Sequence, residues 1–404
     1  MTPRQIVIVG AGESGARVAI ALREQGFDGA VTLVGEERHA PYERPPLSKG
    51  AIFGEEPPTL PYIGDAQRLS ELDVGAVLGV AATAIDRVGR KLRLNDGAAI
   101  AYDQLVLATG ARPRRLNLPG AEHGLTLRSF EDSVVLRERM RPGAAIVVIG
   151  GGFIGLELAA GARKLGCEVV VVEAAPRVLA RATPAPLAAI LEARHRAEGV
   201  EILTEVGVSG FSADAVELAD GRRLKADAIV VGIGAAPETS LAAAAGLALD
   251  NGVAVNGRLQ TSDADIFACG DCASFPHPLF DGRRLRLEAW RNAFDQGAFV
   301  ARALTGAEDE FAAVPWFWSD QFDLCLQIAG LPDAGATVAP RDLGDGALMT
   351  FHLAADGRLV GVGAVGPLGK IAKEVRVAEM LIARRAAPSP DKLADAKVKL
   401  KGLL

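Results

Sequence analysis

The 404-residue sequence predicts an α/β protein in which one βαβ unit is inserted within another and a smaller mixed α/β domain follows. Two observations support this prediction. The order strand, G-x-G-x-x-G turn, helix and second strand occurs twice, at residues 6–36 and 145–173. Apolar and polar residues alternate from residue 324 to about 364, with a turn at 356–357, which is typical of a small antiparallel sheet.

The second βαβ unit is the more complete. Its first strand is the apolar run 145–149, and the turn GGGFIG follows at 150–155. The helix ends near Gly166, and the next strand ends at Glu173, eighteen residues after Gly155. In such a unit the glycines let the backbone approach a pyrophosphate, the helix N-terminus stabilises its charge, and the acid accepts from a ribose hydroxyl. The sequence therefore predicts a dinucleotide site.

The first βαβ unit repeats this arrangement. The strand 6–9 leads into the turn GAGESG at 10–15, and the helix that follows ends at Gly26. A second strand ends at Glu36, which lies 21 residues beyond Gly15, close to the spacing of roughly 20 typical of a ribose-binding acid. Two Rossmann-like units imply two dinucleotides, and the economical pair is a flavin and a nicotinamide that exchange a hydride.

The segments between these units predict further cofactor contacts. The proline-rich loop 41–49 is extended, so Arg44 and Lys49 can lie along a cofactor bound at the first turn. A strand at 80–85 is expected near the adenine end, and the strand 102–110 ends at Thr109 and Gly110 beside the cofactor. A helix starting within 127–132 leads into the second unit, which the strand 228–234 closes.

The first domain resumes at about residue 242. An apolar strand ends at Asp271, whose carboxylate can accept hydrogen bonds from the ribityl chain of a flavin. A helix beginning within 287–297 points its N-terminus at the ring, where it would stabilise negative charge. The last fifteen or so residues, rich in Lys and Asp, are expected to fray.

Composition excludes several classes of protein. The net charge of −6 argues against extensive nucleic-acid binding. No apolar run approaches the roughly 20 residues of a membrane span, and the first strand starts too early to leave room for a signal peptide. We therefore expect a soluble, cytoplasmic protein without membrane or nucleic-acid partners.

The four cysteines, Cys167, Cys269, Cys272 and Cys325, all follow residue 166. A disulfide-exchanging flavoenzyme would need its redox pair earlier in the chain. The spacing of Cys269 and Cys272 fits a redox pair or half of a metal site, but neither a second pair nor a nearby histidine pair completes a metal site. We interpret them as small apolar residues that flank a functional Gly-Asp, and we predict no metal.

Five strings of residues carry a resemblance to a known family. They are RPPLSK at 44–49, ATG at 108–110, GGGFIGLE at 150–157, TSDADIFACGD at 261–271 and PWFWSDQ at 315–321. With these motifs the chain resembles, over essentially its whole length, the FAD-dependent ferredoxin reductases of bacterial oxygenase systems. The Gly-Asp string is shared with many flavoproteins that bind two nucleotides, whereas the first and last strings are specific.

The resemblance implies a glutathione-reductase-like arrangement of domains. An NAD-binding domain, 113–241, is inserted in an FAD-binding domain, 1–112 and 242–318, and a C-terminal α+β domain covers 319–404. Lys49 and Glu157 are implied as the catalytic pair, which borders flavin N5 and shifts when NADH binds. The cofactor-binding residues that the motifs and the resemblance together predict are Gly10, Gly12, Ser14, Gly15, Glu36, Arg44, Lys49, Ala82, Thr109, Gly110, Arg128, Gly150, Gly152, Phe153, Ile154, Gly155, Glu157, Glu173, Gly234, Asp271, Trp290 and Trp318.

The implied reaction is hydride transfer from NADH to FAD, followed by single-electron transfer to a [2Fe-2S] ferredoxin that serves a Rieske dioxygenase or a cytochrome P450. Glu173 favours NADH because a carboxylate repels the 2′-phosphate of NADPH, although Arg177 is near enough to soften that preference. A basic docking face for the ferredoxin could use Arg291, Arg302, Lys370, Lys373 and Arg376, and a solvated scatter of charge fits the same residues equally well.

Two other functions stay open on this scaffold. An NADH oxidase or peroxidase is the first, but the peroxidase type needs a cysteine facing the flavin, where this chain has Ser48. The second is a binding protein like apoptosis-inducing factor, whose redox state controls association. That function would gain support from a targeting peptide or a strongly basic surface, and the sequence indicates neither.

Overall fold

A computed structural model describes residues 4–54, 56 and 58–404. The helices are α1 (Glu13–Glu24), α2 (Gly50–Phe53), α3 (Ala66–Glu71), α4 (Phe130–Arg139), α5 (Phe153–Lys164), α6 (Ala185–Ala197), α7 (Ser240–Ala244), α8 (Trp290–Leu304), α9 (Leu368–Ala383) and α10 (Pro390–Ala394). The strands are β1 (Gln5–Val9), β2 (Ala30–Gly35), β3 (Val74–Leu78), β4 (Ala82–Asp86), β5 (Lys91–Leu94), β6 (Ala99–Ala101), β7 (Gln104–Leu107), β8 (Ala111–Pro113), β9 (Gly124–Leu125), β10 (Ala145–Ile149), β11 (Glu168–Val172), β12 (Glu201–Leu203), β13 (Val208–Ser212), β14 (Ala215–Leu218), β15 (Arg223–Lys225), β16 (Ala228–Val231), β17 (Ala235–Pro237), β18 (Val253–Ala254), β19 (Ile266–Ala268), β20 (Ala273–Pro276), β21 (Arg284–Leu285), β22 (Trp316–Gln321), β23 (Leu324–Gly330), β24 (Thr337–Gly344), β25 (Ala347–Leu353) and β26 (Leu359–Gly366).

The chain forms two compact units. The first comprises the described residues of Met1–Glu43, Leu60–Arg112 and Ala236–Ala313. The second comprises those of Arg44–Thr59, Pro113–Ala235 and Val314–Leu404. The α/β fold class is confirmed, whereas the division into three domains at residues 112, 241 and 318 stays a prediction.

A parallel sheet in the order β19-β7-β1-β2-β3 organises the first unit. Its central strand β1 is apolar and fully buried at Ile6, Val7 and Ile8, as expected for a strand covered on both faces. The register pairs Val9 with Val34 of β2 and with Leu107 of β7. The C-terminal ends of three strands therefore reach the same edge, where the first glycine turn, Glu36 and Thr109 follow.

The second unit contains two large sheets. One is parallel, in the order β12-β11-β10-β16-β9, and the other is antiparallel, in the order β22-β23-β26-β25-β24. The antiparallel sheet confirms the alternation seen in the sequence after residue 324, and the turn at 356–357 joins β25 to β26. Apolar residues of both sheets, such as Val148, Leu326 and Val365, belong to one buried cluster. Strands β23 and β26 thus share a core with β10, the strand that precedes the second glycine turn.

The C-terminal residues differ from the expectation that they fray. Leu393 in α10 and Leu400 after it are buried. The Arg341 guanidinium donates to the carbonyl of Leu393 at 3.1 Å and to that of Val398 at 2.7 Å. These bonds satisfy backbone acceptors that a frayed segment would leave to water. The C-terminal segment is therefore anchored by Arg341 and by two buried leucines, despite its many charged residues.

None of the helices in the described ranges has the length and apolar character needed to cross a membrane.

Candidate functional site

The first glycine turn has the geometry of a dinucleotide cradle. Gly10 has φ +113°, and a Cβ added there would lie 2.1 Å from the carbonyl oxygen of Ala108. A Cβ on Gly15 would lie 1.9 Å from the Gly10 carbonyl oxygen, whereas one on Gly12 would meet no atom within 4 Å. A side chain at Gly10 or Gly15 would therefore clash with the protein's own backbone, so both positions need glycine. The open space at Gly12 is the place where a pyrophosphate can approach.

Helix α1 begins directly after Gly12, which supplies no side-chain cap. Its first amides therefore need other acceptors, and a phosphate satisfies them. Ser14 lies in this first turn and is buried. These features fit the pyrophosphate of a dinucleotide.

The ribose-binding acid of the first unit has a partner that the sequence did not indicate. Glu36 accepts from Arg112 at 3.0 Å, and Arg112 also forms an ion pair with Glu238. Thr109 donates through its hydroxyl to the carbonyl of Glu238 at 2.6 Å, and Gly110 has φ +70°. Arg112 thus bridges Glu238 and Glu36, the carboxylate expected to accept from the ribose. Thr109, which follows β7, is bonded to the same Glu238. Ala82, the other residue predicted here, is the first residue of β4.

The Gly-Asp turn packs onto the first glycine turn. Gly270 has φ +78°, and a Cβ there would lie 2.5 Å from the Ser14 hydroxyl oxygen. Its amide donates at 2.8 Å to Gln296 of α8, a fully buried side chain. Gln296 therefore holds the turn that presents Asp271, and the sequence interpretation missed it. Its signal in the sequence was its place within the predicted helical stretch 287–297, six residues after Trp290.

Trp290 begins α8 and contacts the first glycine turn. Its indole N–H donates to Glu13 at 2.9 Å, and its ring stacks on Phe294 with centroids 5.5 Å apart. Burial raises the pKa of Glu13 to about 7; the Trp290 bond lowers it, the Glu43 charge raises it and Arg17 lowers it. A carboxyl that titrates near neutrality therefore lies within the predicted pyrophosphate cradle.

Glu13→Gln is expected to stabilise the protein above pH 7. Because the folded state raises the pKa of Glu13, its contribution to stability is complete below about pH 4.5 and is lost as the pH rises through about 7. Glutamine keeps an acceptor for Trp290 without a buried charge. We expect a gain of roughly 2 kcal/mol in the free energy of unfolding at pH 8 and little change at pH 5. Guanidinium denaturation at both pH values checks this, and equal gains at both would contradict it.

The second glycine turn repeats the geometry of the first. Gly150 has φ +104°, and a Cβ there would lie 2.5 Å from the carbonyl oxygen of Gly232. A Cβ on Gly155 would lie 2.3 Å from the Gly150 carbonyl oxygen, whereas one on Gly152 would lie 3.8 Å from its nearest neighbour. Gly152 precedes α5 without a side-chain cap. The turn therefore also fits a pyrophosphate.

Glu173 folds back over this turn. One carboxylate oxygen accepts from the amide of Gly151 at 2.7 Å and the other from the amide of Ala175 at 2.8 Å. Each oxygen keeps a lone pair for a ribose hydroxyl. Arg177 donates to the carbonyls of the following loop, with distances of 3.0 Å to Thr183 and 3.1 Å to Ala180. It holds the loop, which argues against the expectation that it softens the preference for NADH.

The other residues predicted for the nicotinamide nucleotide line the same turn. Phe153 packs on Phe317 with ring centroids 4.2 Å apart, and Ile154 is 48 % exposed at the start of α5. Gly234 has φ +101°, and a Cβ there would lie 3.0 Å from a terminal nitrogen of Arg181. Arg181 was not among the predicted residues, and nothing in its sequence context distinguishes it.

Residues 44–49 of the proline-rich loop lie in the second unit. Arg44 donates to the carbonyl of Arg128 at 2.5 Å, which brings two predicted residues together. Lys49 lies 2.9 Å from a carboxylate oxygen of Asp320, and its ammonium is 5.3 Å from the ring centroid of Trp318. Asp320 also accepts from the Trp318 indole at 3.2 Å. The lysine thus belongs to a cluster on β22 that the specific PWFWSDQ string encodes.

Glu157 is the buried acid of this cluster. Its carboxylate lies 4.0 Å from the Lys49 ammonium and accepts from Ser319 at 2.7 Å and from Ser48 at 2.5 Å. Burial raises the pKa of the Glu157 carboxyl, the Lys49 charge and the two hydroxyls lower it, and Asp320 raises it. The predicted pair of Lys49 and Glu157 is therefore close together, but Asp320 is the nearer partner of the lysine.

All four cysteines are free and buried. Burial raises the pKa of Cys269 and of Cys272, so neither thiol is activated. The Cys272 thiol lies 3.5 Å from the Leu107 carbonyl oxygen, as a small core residue would. These observations agree with the interpretation that the pair flanks the functional Gly-Asp.

Comparison with known proteins extends the similarity over the whole chain. Residues 4–297 match the family model for pyridine nucleotide-disulphide oxidoreductases, and residues 316–404 match the model described as reductase C-terminal. The chain is 39 % identical to the ferredoxin–NAD(+) reductase component of the anthranilate 1,2-dioxygenase system of Burkholderia cepacia, with 100 % of both chains covered. It is 38 % identical to putidaredoxin reductase CamA of Pseudomonas putida, covering 99 % of this chain and 96 % of the relative. The crystal structure of the covalent putidaredoxin reductase–putidaredoxin complex aligns with a TM-score of 0.94 at 36 % identity, over 100 % of this chain and 98 % of that one.

Proposed function

The chain belongs to the pyridine nucleotide-disulphide oxidoreductases, and within them to the FAD-dependent ferredoxin reductases of oxygenase systems; from this premise we propose that it oxidises NADH and reduces a [2Fe-2S] ferredoxin. The observation that carries the proposal is the pair of glycine turns. In each turn the first and third glycines are required because a Cβ there would clash with the backbone, and the middle glycine leaves open space. FAD, when bound, supplies the conversion of a two-electron hydride donor into single electrons.

The chain's own residues supply binding, orientation and charge. We assign the first turn, with Ser14, Glu36 and Asp271, to FAD, and the second turn, with Glu173, to NADH. The assignment of Lys49 and Glu157 to the N5 side of the flavin is carried over from the resemblance. Because Lys49 is a fixed cation, it favours negative charge on a reduced ring by Coulomb attraction.

The proposed acceptor follows from the relatives. One relative is named as a dioxygenase reductase component and another as putidaredoxin reductase, and the solved complex joins such a reductase to its putidaredoxin. We therefore propose a [2Fe-2S] ferredoxin that delivers electrons to an oxygenase, either a Rieske dioxygenase or a cytochrome P450. A cytoplasmic location stays a prediction.

The proposal is tested by cytochrome c reduction. Purified protein with bound flavin is mixed with NADH and cytochrome c, with and without each candidate ferredoxin. We expect a rate that depends on one ferredoxin and saturates with its concentration. Rapid NADH oxidation coupled to oxygen consumption without any ferredoxin would instead support the oxidase function.

Lys49→Met is expected to slow flavin reduction at saturating NADH by at least about tenfold, because it removes the cation that offsets developing negative charge. Stopped-flow absorbance of the flavin measures the rate. Lys164→Met is the matched control, since Lys164 is also a lysine beside an aromatic ring, 5.9 Å from that of Phe322. Equal rates for wild type and the Lys49 variant would remove Lys49 from the site.

The structure bears on one of the alternative functions, the peroxidase. Ser48 donates to Glu157, and the four thiols of the chain are buried, which disfavours a peroxidase that depends on an exposed cysteine.

Ion pairing reduces the positive charge available for the expected basic docking face. Four of its five predicted cations have a carboxylate partner: Arg291 with Asp295, Arg302 with Asp309, Lys370 with Asp345 and Arg376 with Glu379.

A further inference from the structure

A chain of buried polar side chains runs from Glu157 to His195 within the second unit. The Ser319 hydroxyl lies 2.7 Å from Oε1 of Glu157, and Nε2 of Gln321 lies 3.1 Å from the Ser319 hydroxyl oxygen. Oε1 of Gln321 lies 2.9 Å from Nε2 of His195. Ser319, Gln321 and His195 are each at most 1 % exposed. A polar chain buried to this degree costs free energy unless each link is satisfied.

Nδ1 of His195 fixes the donor-to-acceptor direction of these hydrogen bonds. Nδ1 of His195 is buried and has no hydrogen-bond partner among the described residues. A buried N–H without an acceptor is costlier than a lone pair without a donor, so the proton lies on Nε2. His195 then donates to Gln321, which leaves the Gln321 amide N–H to donate to Ser319. The Ser319 hydroxyl must in turn donate to Oε1 of Glu157.

The second oxygen of Glu157 is not restricted in this way. The Ser48 hydroxyl donates to Oε2 at 2.5 Å, but it also lies 3.3 Å from the carbonyl oxygen of Pro45. If Oε2 gains a proton, Ser48 can turn to donate to Pro45 and accept from the new O–H. Ser319 cannot turn in this way, because among the described residues its hydroxyl hydrogen has no acceptor other than Oε1 of Glu157.

The charges around this chain agree with the assignment. Burial raises the pKa of the Glu157 carboxyl, the Lys49 charge lowers it and the Asp320 charge raises it. Around His195, burial lowers the pKa of the imidazole and the Arg194 charge lowers it further, while Gln321 raises it. The Phe322 ring contacts the imidazole in an edge-to-face arrangement, with centroids 4.9 Å apart. A neutral His195 at the end of the chain is therefore the stable form.

We propose that Ser319, Gln321 and His195 are positioning residues that hold Oε1 of Glu157 as a permanent acceptor, so that Oε2 is the atom that takes up and releases a proton. Oxidation of one NADH by two one-electron acceptors breaks one C4–H bond of the nicotinamide and leaves NAD+, two reduced acceptors and one proton. In this proposal that proton forms an O–H bond at Oε2 and then passes to water, with the Ser48 hydroxyl reversing at each step. This inference rests on the proposed function, since it takes Glu157 to border the reacting groups.

Infrared spectroscopy of the oxidised holoprotein tests the inference directly. The carboxylic-acid band of Glu157 is assigned by its loss in Glu157→Gln and followed against pH. We expect Ser319→Ala to raise the protonation midpoint by about one pH unit, because one hydrogen bond to the ionised form is lost. Gln321→Met and His195→Phe should raise it by successively smaller amounts, and Ser319→Thr should restore it.

His352→Phe is the matched control, because His352 is a buried histidine of the same unit whose Nε2 lies 3.0 Å from the Thr350 hydroxyl oxygen. It should leave the midpoint unchanged. Nitrogen-15 spectra of wild-type protein labelled at its histidines test the hydrogen-bond direction in the unsubstituted protein. The His195 signals are assigned by their loss in His195→Phe. We expect a proton on Nε2 and none on Nδ1 between about pH 6 and 8.

Two results would overturn the inference: a protonated Nδ1 in wild-type His195, or an unchanged midpoint in a folded Ser319→Ala protein that keeps its flavin. NADH binding is measured separately from changes in flavin absorbance. Failure to bind NADH counts against the proposed function, whereas the infrared midpoints and the His195 tautomer decide the inference by themselves.

Discussion

Gly12→Ala is expected to give a folded protein that binds FAD about a hundredfold more weakly than wild type. A Cβ at Gly12 meets no atom within 4 Å, and the backbone there is extended, so alanine fits without strain. The loss of a glycine N-cap costs less than about 1 kcal/mol. A methyl group does, however, occupy the space in which a pyrophosphate approaches the amides of α1. Two weakened bonds to a charged phosphate amount to about 3 kcal/mol, which is about a hundredfold in affinity.

Gly152→Ala is the matched control for this prediction. It makes the equivalent change at the second turn, where a Cβ lies 3.8 Å from its nearest neighbour. This variant should keep its yellow flavin and lose affinity for NADH. Flavin content after dialysis and NADH titration of each variant provide the measurements. If Gly12→Ala retained FAD with unchanged affinity, the first turn would not be the pyrophosphate site.

Glu173→Ala is expected to reduce the preference for NADH over NADPH by at least about tenfold. The variant loses the acceptor for a ribose hydroxyl and the charge that repels a 2′-phosphate. Arg177 is already bonded to loop carbonyls, so we expect most of the change to come from weaker NADH binding rather than from tight NADPH binding. Values of kcat/KM for both nucleotides, measured with one ferredoxin, give the ratio.

Glu168→Ala controls for the loss of a charge on the same strand, because Glu168 is exposed at the start of β11 and Glu173 follows its end. The control should leave the ratio of kcat/KM values unchanged. An unchanged ratio in Glu173→Ala itself would refute the assignment of this acid.

The local features of the site were predictable because each depends on a short stretch of chain. A glycine at φ +113° or +104°, as at Gly10 and Gly150, follows from the turn that must join a parallel strand to its helix. The position of an acid after the second strand, as for Glu36 and Glu173, follows from strand register. These contacts lie within a single βαβ unit.

Residues that hold the site from a distance were not predictable in this way. Gln296, Asp320 and His195 lie far along the chain from the residues that they contact. An isolated histidine on an apolar helix face, such as His195, has no pattern that distinguishes a core residue from a member of a polar network. Such roles exist only once separate elements pack together.

The sequence by itself determined the α/β class, the two glycine turns, the acids that follow them and the family, because these depend on local periodicity and on short motifs. Only the tertiary structure decided that Asp320 is the nearer partner of Lys49, that Arg177 holds a loop, and that a directed chain of hydrogen bonds ends at Glu157. The physical reason is that hydrogen-bond direction and ion-pair choice depend on which polar atoms are buried together, and burial is a property of the packed chain.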